Sequence, residues 1–204
     1  MPQAPRLTRV QQQERTRAQL LRAGEQAYLE KGFQGATAGE IARRAGYSTG
    51  ALYSNFVSRD DLLLSVLEDH DAGAVERLGA TVRAVTSVPD VVATVSDWFR
   101  GVFRDDPRWR VLEVELTIAG VGKPELASRL RERQRKFARD LAKLLRERSD
   151  QFGVTLSLPA ETLAEAFLSL GDGLGVHTLL DPDIDATAVF TRTLSVLLGA
   201  GDPG

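Results

Sequence analysis

Residues 37–61, TAGEIARRAGYSTGALYSNFVSRDD, decide the fold of this chain because they predict three helix starts in close succession. Thr37 offers its hydroxyl to the free N–H groups of a first helical turn. Glu40, three residues later, can reach back and complete an S/T-x-x-E capping box. Gly46 supplies the positive φ at which helices often end, so the helix that begins at Thr37 is short.

A second short helix follows the glycine and is capped by Ser48 or Thr49. Leu52 and Phe56 are four residues apart and share one face, which we expect to point inward. The residues left on the outer face are Thr49, Gly50 and Tyr53. A small, polar and aromatic face of this kind suits the base edges of the major groove, whereas a row of Glu and Lys is typical of a solvated helix.

The third helix start lies at Ser58, where a hydroxyl again caps the first turn. Asp60 and Asp61 follow and place negative charge at the positive end of the helix dipole. Two short helices joined by a tight glycine turn, with a further capped helix after them, are the layout of a DNA-reading helix-turn-helix.

The pattern extends on both sides of this motif. A helix over 17–33 precedes it, and TxxEIARRAGYS and GALYSNFVSRDDLL run through it. Over residues 16–67, about a quarter of the chain, the sequence resembles the TetR family of bacterial one-component transcription regulators. The resemblance implies that Thr49 and Gly50 contact base edges. It also implies phosphate contacts from Thr37, Ser48, Tyr53, Asn55 and Arg59, with Arg44 and Tyr47 as additional DNA contacts.

The composition is that of a folded protein with one large domain or two small ones. The chain has 204 residues, of which 43% are hydrophobic, and it contains no cysteine. A sizeable core is therefore possible, whereas disulfides and thiolate metal ligands are excluded. No apolar run is long enough to cross a membrane and the first residues are polar, so we expect a cytoplasmic protein without a membrane partner.

The net charge of −2 is unevenly distributed along the chain. Residues 1–60 hold nine Arg or Lys against five Asp or Glu, whereas residues 61–204 hold seventeen against twenty-three. Phosphate contacts need local positive charge and do not need a basic protein. The charge distribution is therefore compatible with double-stranded DNA as the partner of the N-terminal part.

The remaining sequence shows helical patterns separated by Pro, Gly and Asp breaks, without strand-like alternation. We predict an all-α fold of roughly nine helices, with an N-terminal three-helix helix-turn-helix domain and a C-terminal helical ligand-binding and dimerisation domain. The expected boundaries are a flexible arm over 1–12, the DNA-binding domain over 13–60, the ligand-binding and dimerisation domain over 61–200, and a flexible tail over 201–204.

The last two predicted helices, over 160–180 and about 185–199, are more apolar than a solvated helix should be. In the family that the chain resembles, these helices pair with those of a second subunit, and a homodimer also suits a palindromic DNA site. The expected interface residues are Leu168, Gly171, Leu174, Gly175, His177, Phe190, Leu194 and Leu197. The alternative is that both helices pack inside one subunit.

The resemblance also implies a cavity for a small-molecule effector in the middle of the chain. The candidate lining residues are Trp98, Trp109, Glu113, Phe137 and Phe167, although aromatic residues at helical spacing are more often plain core. Glu113 and Glu115 lie two apart in an apolar helix, so one of the two carboxylates faces the interior and needs a partner. That partner is either a ligand amine or Arg108 or Arg110, and we favour the arginine.

Three functions compete at this point. The first is a ligand-responsive repressor that binds a palindromic operator as a homodimer and is released by a small molecule. The second is a dimeric DNA-binding protein without a small-molecule effector, regulated by protein partners or architectural in role. The third, an all-α enzyme, is disfavoured because no nucleophile motif or phosphate loop is present. We predict no catalytic residue, no cofactor and no metal, since His70 and His177 lie in distant segments and do not form a ligand set.

Overall fold

The computed structural model describes residues 8–101 and 107–199, and these residues form nine α-helices. They are α1 (Arg9–Gly35), α2 (Ala38–Arg44), α3 (Thr49–Asn55), α4 (Arg59–Ala84), α5 (Val88–Arg100), α6 (Pro107–Gly120), α7 (Pro124–Phe152), α8 (Ala160–Leu180) and α9 (Ala186–Leu197). No strand occurs within the two described ranges. The predicted all-α architecture, with an N-terminal helix-turn-helix and a C-terminal helical part, is confirmed.

The helices form two compact units. The first comprises the described residues of Met1–His70 together with Val111–Ala127, and the second comprises those of Asp71–Arg110 and Ser128–Gly204. The first unit is therefore larger than the predicted DNA-binding domain over 13–60, because the start of α4 and most of α6 belong to it. The predicted tail over 201–204 lies outside the described residues.

The N-terminal helix begins earlier than the sequence pattern predicted. Thr8 caps α1 through its hydroxyl, which accepts from the Gln11 N–H at 3.2 Å, and the Gln11 side chain accepts from the Thr8 N–H at 2.9 Å. This reciprocal capping box starts the helix at Arg9. Residues 9–12, expected in the flexible arm, therefore belong to α1, and residues 1–7 lie outside the described part.

The first unit buries the apolar faces of α1 to α4 against one another. Leu20 and Tyr28 of α1, Ile41 of α2 and Leu52 of α3 are each at most 1% exposed. Residues 62–67 at the start of α4 are all buried. Six consecutive helical residues point in every direction around the helix axis, so other elements must cover this part of α4 on all sides. The two short helices of the motif are thus held by packing, since helices of this length are marginal alone.

The second unit has its core between α5, α8 and α9. Phe99 and Phe190 stack with their ring centroids 4.1 Å apart, and Phe167 packs against Phe190 at 6.5 Å. Leu163 and Leu194 complete the contact as fully buried side chains. The apolar stripes of α8 and α9 that the sequence placed at a dimer contact are, in large part, the core of their own subunit.

Candidate DNA-binding surface and effector cavity

The turn between α2 and α3 has the geometry that the residues predict. The Thr37 hydroxyl accepts from the Glu40 N–H at 3.2 Å and caps α2. Gly46 has a φ of +77°, and the Tyr47 N–H donates to the Ala42 carbonyl at 2.9 Å. This six-to-one bond belongs to a Schellman motif, in which only glycine takes the left-handed position without strain.

Glu40 does not complete the predicted capping box. Its carboxylate lies 2.7 Å from the Lys31 ammonium and 2.8 Å from the Arg44 guanidinium. Lys31 and Arg44 hold the pKa of Glu40 below its usual value. Arg44 also pairs with Glu30 at 2.6 Å, so it joins α2 to α1.

The helix α3 presents an uncharged face to solvent. The Ser48 hydroxyl caps it by accepting from the Ala51 N–H at 3.2 Å. Leu52 and Phe56 are buried, as predicted, whereas Thr49, Gly50 and Tyr53 are exposed. Over half of the Tyr53 surface, 51%, is accessible. An exposed helix without a single charged side chain is unusual on a solvated surface and suits a partner that offers both polar edges and methyl groups.

Three other residues predicted to contact DNA use polar atoms inside the unit. Arg59 donates to the Ala36 carbonyl at 2.9 Å, and its guanidinium lies 4.6 Å from the centroid of the Phe33 ring. The Asn55 amide donates to the Ala51 carbonyl at 2.8 Å. The Tyr47 hydroxyl donates to the Gln19 side chain at 2.5 Å. These residues therefore first support the fold of the motif.

Sequence reasoning missed the role of Arg17. Its guanidinium donates to the Asn55 carbonyl at 3.0 Å and to the Ser65 hydroxyl at 3.2 Å, and it lies 4.2 Å from the centroid of the Phe56 ring. Arg17 thus ties the end of α3 to α1 and α4. No local signal marks such a residue, because its partners are 38 and 48 positions away along the chain.

A polar groove runs between the start of α1 and the end of α3. It is lined by Thr8, Arg9, Gln12, Gln13, Thr16, Ser54 and Asn55. All of these side chains can form hydrogen bonds, and Arg9 adds one positive charge. Side chains of these kinds bind the phosphate backbone of DNA. The capping-box pattern of Thr8 and Gln11 is the sequence signal from which the early start of α1 could have been predicted.

An apolar cavity of about 60 Å³ lies within the second unit. Its walls come from α4, α5, α7, α8 and α9, and from the segment after α7. Of the five predicted lining residues, only Phe167 lies on this cavity. Trp98 packs against the core of the second unit, Trp109 and Phe137 are half-buried, and Glu113 belongs to the first unit. The lining residues that the prediction missed include Val91, Leu141, Leu145, Phe152 and Arg148.

Of the two α6 carboxylates, that of Glu115 has a partner that the sequence did not predict. Glu115 accepts from the backbone N–H of Phe33 at 3.0 Å, next to Gly32, where α1 kinks at a φ of +69°. The expectation of Arg108, Arg110 or a ligand amine as partner was wrong for Glu115. The kink frees a backbone N–H from the helical ladder, and the carboxylate satisfies it.

The residues predicted for the dimer contact divide into two groups. Gly171, Leu174, Gly175, Phe190 and Leu194 are buried within the subunit, so these side chains are already covered by their own chain. Leu168 and Leu197 are half-buried, and His177 is exposed. Phe190 and Leu194 therefore offer almost no side-chain surface to a second subunit, and their place in the interface stays a prediction.

A different stripe of α8 is exposed and has little charge. Ala166, Ser169, Gly173, Val176 and Leu180 recur at three- and four-residue spacing and therefore lie on one face. Leu180 is 85% exposed, and a Cβ built on Gly173 would have no neighbouring atom within 4 Å. On α9, Val189 and Val196 are exposed as well, at 45% and 69%.

In the described ranges, no group of three or more His, Cys, Asp or Glu side chains lies close enough to hold a metal ion. None of the helices in the same ranges has the length and apolar character needed to span a bilayer.

A capped helix-turn-helix followed by a separate helical unit is the architecture of a class of protein, the DNA-binding regulator. Two family models match this chain. The model for bacterial regulatory proteins of the tetR family covers residues 20–66, and that for the C-terminal part of BetI-type transcriptional repressors covers 89–199. The chain belongs to the TetR family and is a DNA-binding transcription regulator.

Relatives are distant but similar over most of their length. The HTH-type transcriptional regulator UidR of Escherichia coli K12 is 21% identical over 184 residues, which cover 90% of this chain and 91% of UidR. The fold matches Bacillus subtilis FadR in complex with stearoyl-CoA, at 18% identity and a TM-score of 0.67, over 89% of this chain and 97% of FadR. It also matches a putative regulator from Saccharomonospora viridis in complex with choline, at 17% identity and a TM-score of 0.69, over 93% and 98%.

Proposed function

We propose that this regulator is a repressor that binds a palindromic operator as a homodimer and is released from it by a small molecule. The observation that carries the proposal is the exposed face of α3, which bears no charged side chain. The helix is capped at its start, and its opposite face is held in the unit by the buried side chains of Leu52 and Phe56. A face of this kind reads base edges, whereas phosphates are bound by charges and N–H groups around it.

In the proposed complex, Thr49 and Gly50 lie against base edges. Gly50 brings the backbone close to DNA, and a side chain here would extend into open space, since the nearest atom to a Cβ is the Ser48 hydroxyl at 3.7 Å. The Tyr53 hydroxyl donates to phosphate. The hydroxyls of Thr37 and Ser48 accept from backbone N–H groups and keep their own hydrogen for a phosphate oxygen.

Dimerisation is proposed to use the exposed stripe of α8 with Val189 and Val196 of α9. Small residues at Ala166, Ser169 and Gly173 let two helices approach closely, and Leu180 supplies apolar area at the end of the stripe. The two-fold arrangement presents two copies of α3 to half-sites about 34–36 Å apart on one face of the duplex.

Release by a small molecule is proposed to start at the cavity in the second unit. Two structural neighbours hold small molecules, and their folds match this chain over about nine-tenths of its length. Leu78 and Val82 of α4 line this cavity, and residues 62–67 of the same helix are buried in the first unit. A ligand that shifts α4 is therefore expected to act on the unit that holds the motif.

The size of the cavity favours one alternative. At about 60 Å³ it is smaller than the 300–1,000 Å³ typical of small-molecule sites. This observation supports a dimeric DNA-binding protein without an effector. Thermal-shift screening separates the two functions, because a ligand that binds only the folded state raises its melting temperature.

The DNA-reading role is tested with two variants and a control, measured by band shift on an operator and on single-base variants of it. Thr49→Ala should cost about 1–3 kcal/mol on the operator and relax discrimination at one base position. Tyr53→Phe should weaken binding evenly on every duplex, and Thr81→Ala, an exposed threonine of α4, should leave binding unchanged. An even loss for Thr49→Ala on all duplexes would remove the base-reading assignment.

A further inference from the structure

The exposed stripe of α8 has a side-chain order that is complementary to itself when the helix is reversed. Gly173 lies at its centre, with Ala166 seven residues before it and Leu180 seven residues after it. Ser169 and Val176 lie closer to Gly173, again one on each side. In an antiparallel pair of α8 helices centred on Gly173, Ala166 therefore faces Leu180 of the second copy and Ser169 faces Val176. Small side chains then meet large ones, which is what close packing requires.

A basic groove lies between α7 and the first half of α8. Three arginines of α7 and two glutamates of α8 supply its charges, namely Arg131, Arg135, Arg139, Glu161 and Glu165. Two of these five side chains already have a partner. The Arg139 guanidinium pairs with Glu132 at 2.7 Å, and the Glu161 carboxylate pairs with Arg146.

The remaining charges of the basic groove do not cancel. Neither Arg131 nor Arg135 forms an ion pair within residues 8–101 and 107–199, and Glu165 forms none there either. Two guanidiniums therefore stand against one carboxylate. The groove has a surplus of positive charge at the N-terminal end of the α8 stripe.

The loop between α8 and α9, residues 181–185, has the opposite charge. Asp181, Asp183 and Asp185 are all exposed, and none of them forms an ion pair in the described part of the chain. The Asp181 carboxylate accepts from the Asp183 N–H at 3.1 Å, and that of Asp185 caps α9 by accepting from the Ala188 N–H at 3.0 Å. A carboxylate accepts several hydrogen bonds, so this acidic loop can still bind cations.

In the antiparallel pairing, the acidic loop and the basic groove lie at the same level. Eight residues separate Gly173 from Glu165 in one direction and from Asp181 in the other, which is about 12 Å along the helix axis in each case. The acidic loop of one copy therefore lies beside Glu165 of the other. Without the two unpaired arginines of the groove, only like charges would meet at this level.

We infer that α8 packs antiparallel against α8 of a second copy, with Gly173 at the two-fold axis and the acidic loop of each copy bound by Arg131 and Arg135 of the other. The inference rests on the proposed function, in which the α8 stripe is the dimer contact. Two-fold symmetry repeats the contact between loop and groove at both ends of the helix pair. Exposed charges add little affinity, so this contact chiefly fixes the direction and register of the pairing.

The chain has no cysteine, which permits a direct test of the register. Gly173→Cys is expected to form a disulfide between subunits on mild oxidation, seen by non-reducing electrophoresis, because the two copies of this residue meet at the axis. Ala166→Cys is expected to stay unlinked alone and to link to Leu180→Cys when the two proteins are mixed and exchange subunits. A disulfide between two copies of Ala166→Cys indicates parallel helices and would overturn the inference, as would the absence of a link in Gly173→Cys.

Charge reversal tests the contact between loop and groove. The groove variant combines Arg131→Glu with Arg135→Glu, and the loop variant combines Asp181→Lys with Asp183→Lys. Each should raise the dimer Kd about 10-fold to 100-fold in sedimentation velocity, because like charges then meet at both ends of the dimer. In an equimolar mixture the two variants should form a heterodimer with about the wild-type Kd, since opposite charges meet again at both ends.

A matched control makes the same change of net charge elsewhere. Arg15→Glu with Arg22→Glu reverses two exposed arginines of α1 and should leave the dimer Kd unchanged. Circular dichroism confirms folding of every variant. A wild-type Kd for the groove and loop variants, or a mixture that associates no better than either variant alone, would refute the contact.

The same sedimentation series, extended to Gly173→Leu, distinguishes this inference from the proposed interface. If Gly173→Leu separates the dimer while the charge variants keep the wild-type Kd, the proposed interface stands and the inference is refuted. If Gly173→Leu leaves the dimer intact, the proposed interface is refuted and the inference with it. If all three variants weaken the dimer and the mixture of charge variants restores it, both stand.

Discussion

Replacing Gly173 by leucine should separate the proposed dimer and leave the fold of the subunit intact. Gly173 lies on the exposed stripe of α8, and a Cβ at this position has no atom within 4 Å in the subunit. Within one subunit the leucine therefore meets no obstacle, and it should stabilise α8 by up to about 1 kcal/mol because glycine is a poor helix former.

In a two-fold interface the same leucine would obstruct the approach of two helices. An overpacked contact costs about 1–3 kcal/mol, and two-fold symmetry places it twice in the interface, so the loss is about 2–6 kcal/mol. This corresponds to a dimer Kd raised roughly 30-fold to 20,000-fold, since each 1.4 kcal/mol is tenfold.

Sedimentation velocity over a dilution series measures this Kd, and thermal unfolding by circular dichroism reports the fold. Ala93→Leu, an exposed alanine on α5, is the matched control and should leave the dimer unchanged. A Gly173→Leu protein that dimerises with the wild-type Kd would refute the assignment of the α8 stripe to the interface.

Three further predictions follow from single contacts. Ser48→Ala removes the cap of α3 and should cost about 0.5–2 kcal/mol of helix stability, seen as a roughly 2-fold to 30-fold weaker operator complex in band shifts; unchanged affinity would contradict it. Phe190→Ala leaves a void beside Phe99 and should lower the free energy of unfolding in urea by about 3–5 kcal/mol, and a loss under 1 kcal/mol would show that the stack is not core. Glu40→Gln removes a carboxyl whose pKa is depressed by Lys31 and Arg44, so its stabilising effect is present at pH 7. The melting-temperature difference from wild type should begin to shrink as the pH falls to the ordinary glutamate pKa of about 4.3 and should vanish below the lower folded-state pKa, and a difference that grows on acidification would contradict this.

Features governed by near neighbours in the sequence were predictable. The caps at Thr37, Ser48 and Ser58, and the left-handed Gly46, were confirmed because a cap requires only a side-chain oxygen and an N–H three residues away. The inward pair of α3 was confirmed for the same reason, since a four-residue spacing decides which face two side chains share.

Features governed by distant partners were not predictable. Glu40 satisfied the capping-box pattern, but Lys31 of α1 offers its carboxylate a charged partner that the local sequence does not reveal. The interior carboxylate of Glu115 bonds a backbone N–H that is free because α1 kinks at Gly32. In each case the tertiary neighbour determined the outcome, and periodicity carries no information about it.

The apolar faces of α8 and α9 show a second limit of pattern reasoning. Both helices carry apolar residues on more than one side, and periodicity does not say which side the subunit itself covers. The structure covers Phe190 with Phe99 and leaves Val196 and Leu180 exposed. The proposed interface therefore moves to residues that the sequence pattern had not distinguished.

The central claim is that the chain reads DNA sequence as a two-fold dimer, and selection of random duplex DNA on the purified protein tests it most directly. The selection is run at about physiological salt, where nonspecific phosphate binding is suppressed, and the bound duplexes are sequenced. We predict enrichment of a palindrome whose half-sites lie about one helical turn apart, and its loss when the selection is repeated with Gly173→Leu. Sequences without a two-fold repeat, or no enrichment from a folded dimer, would contradict the claim.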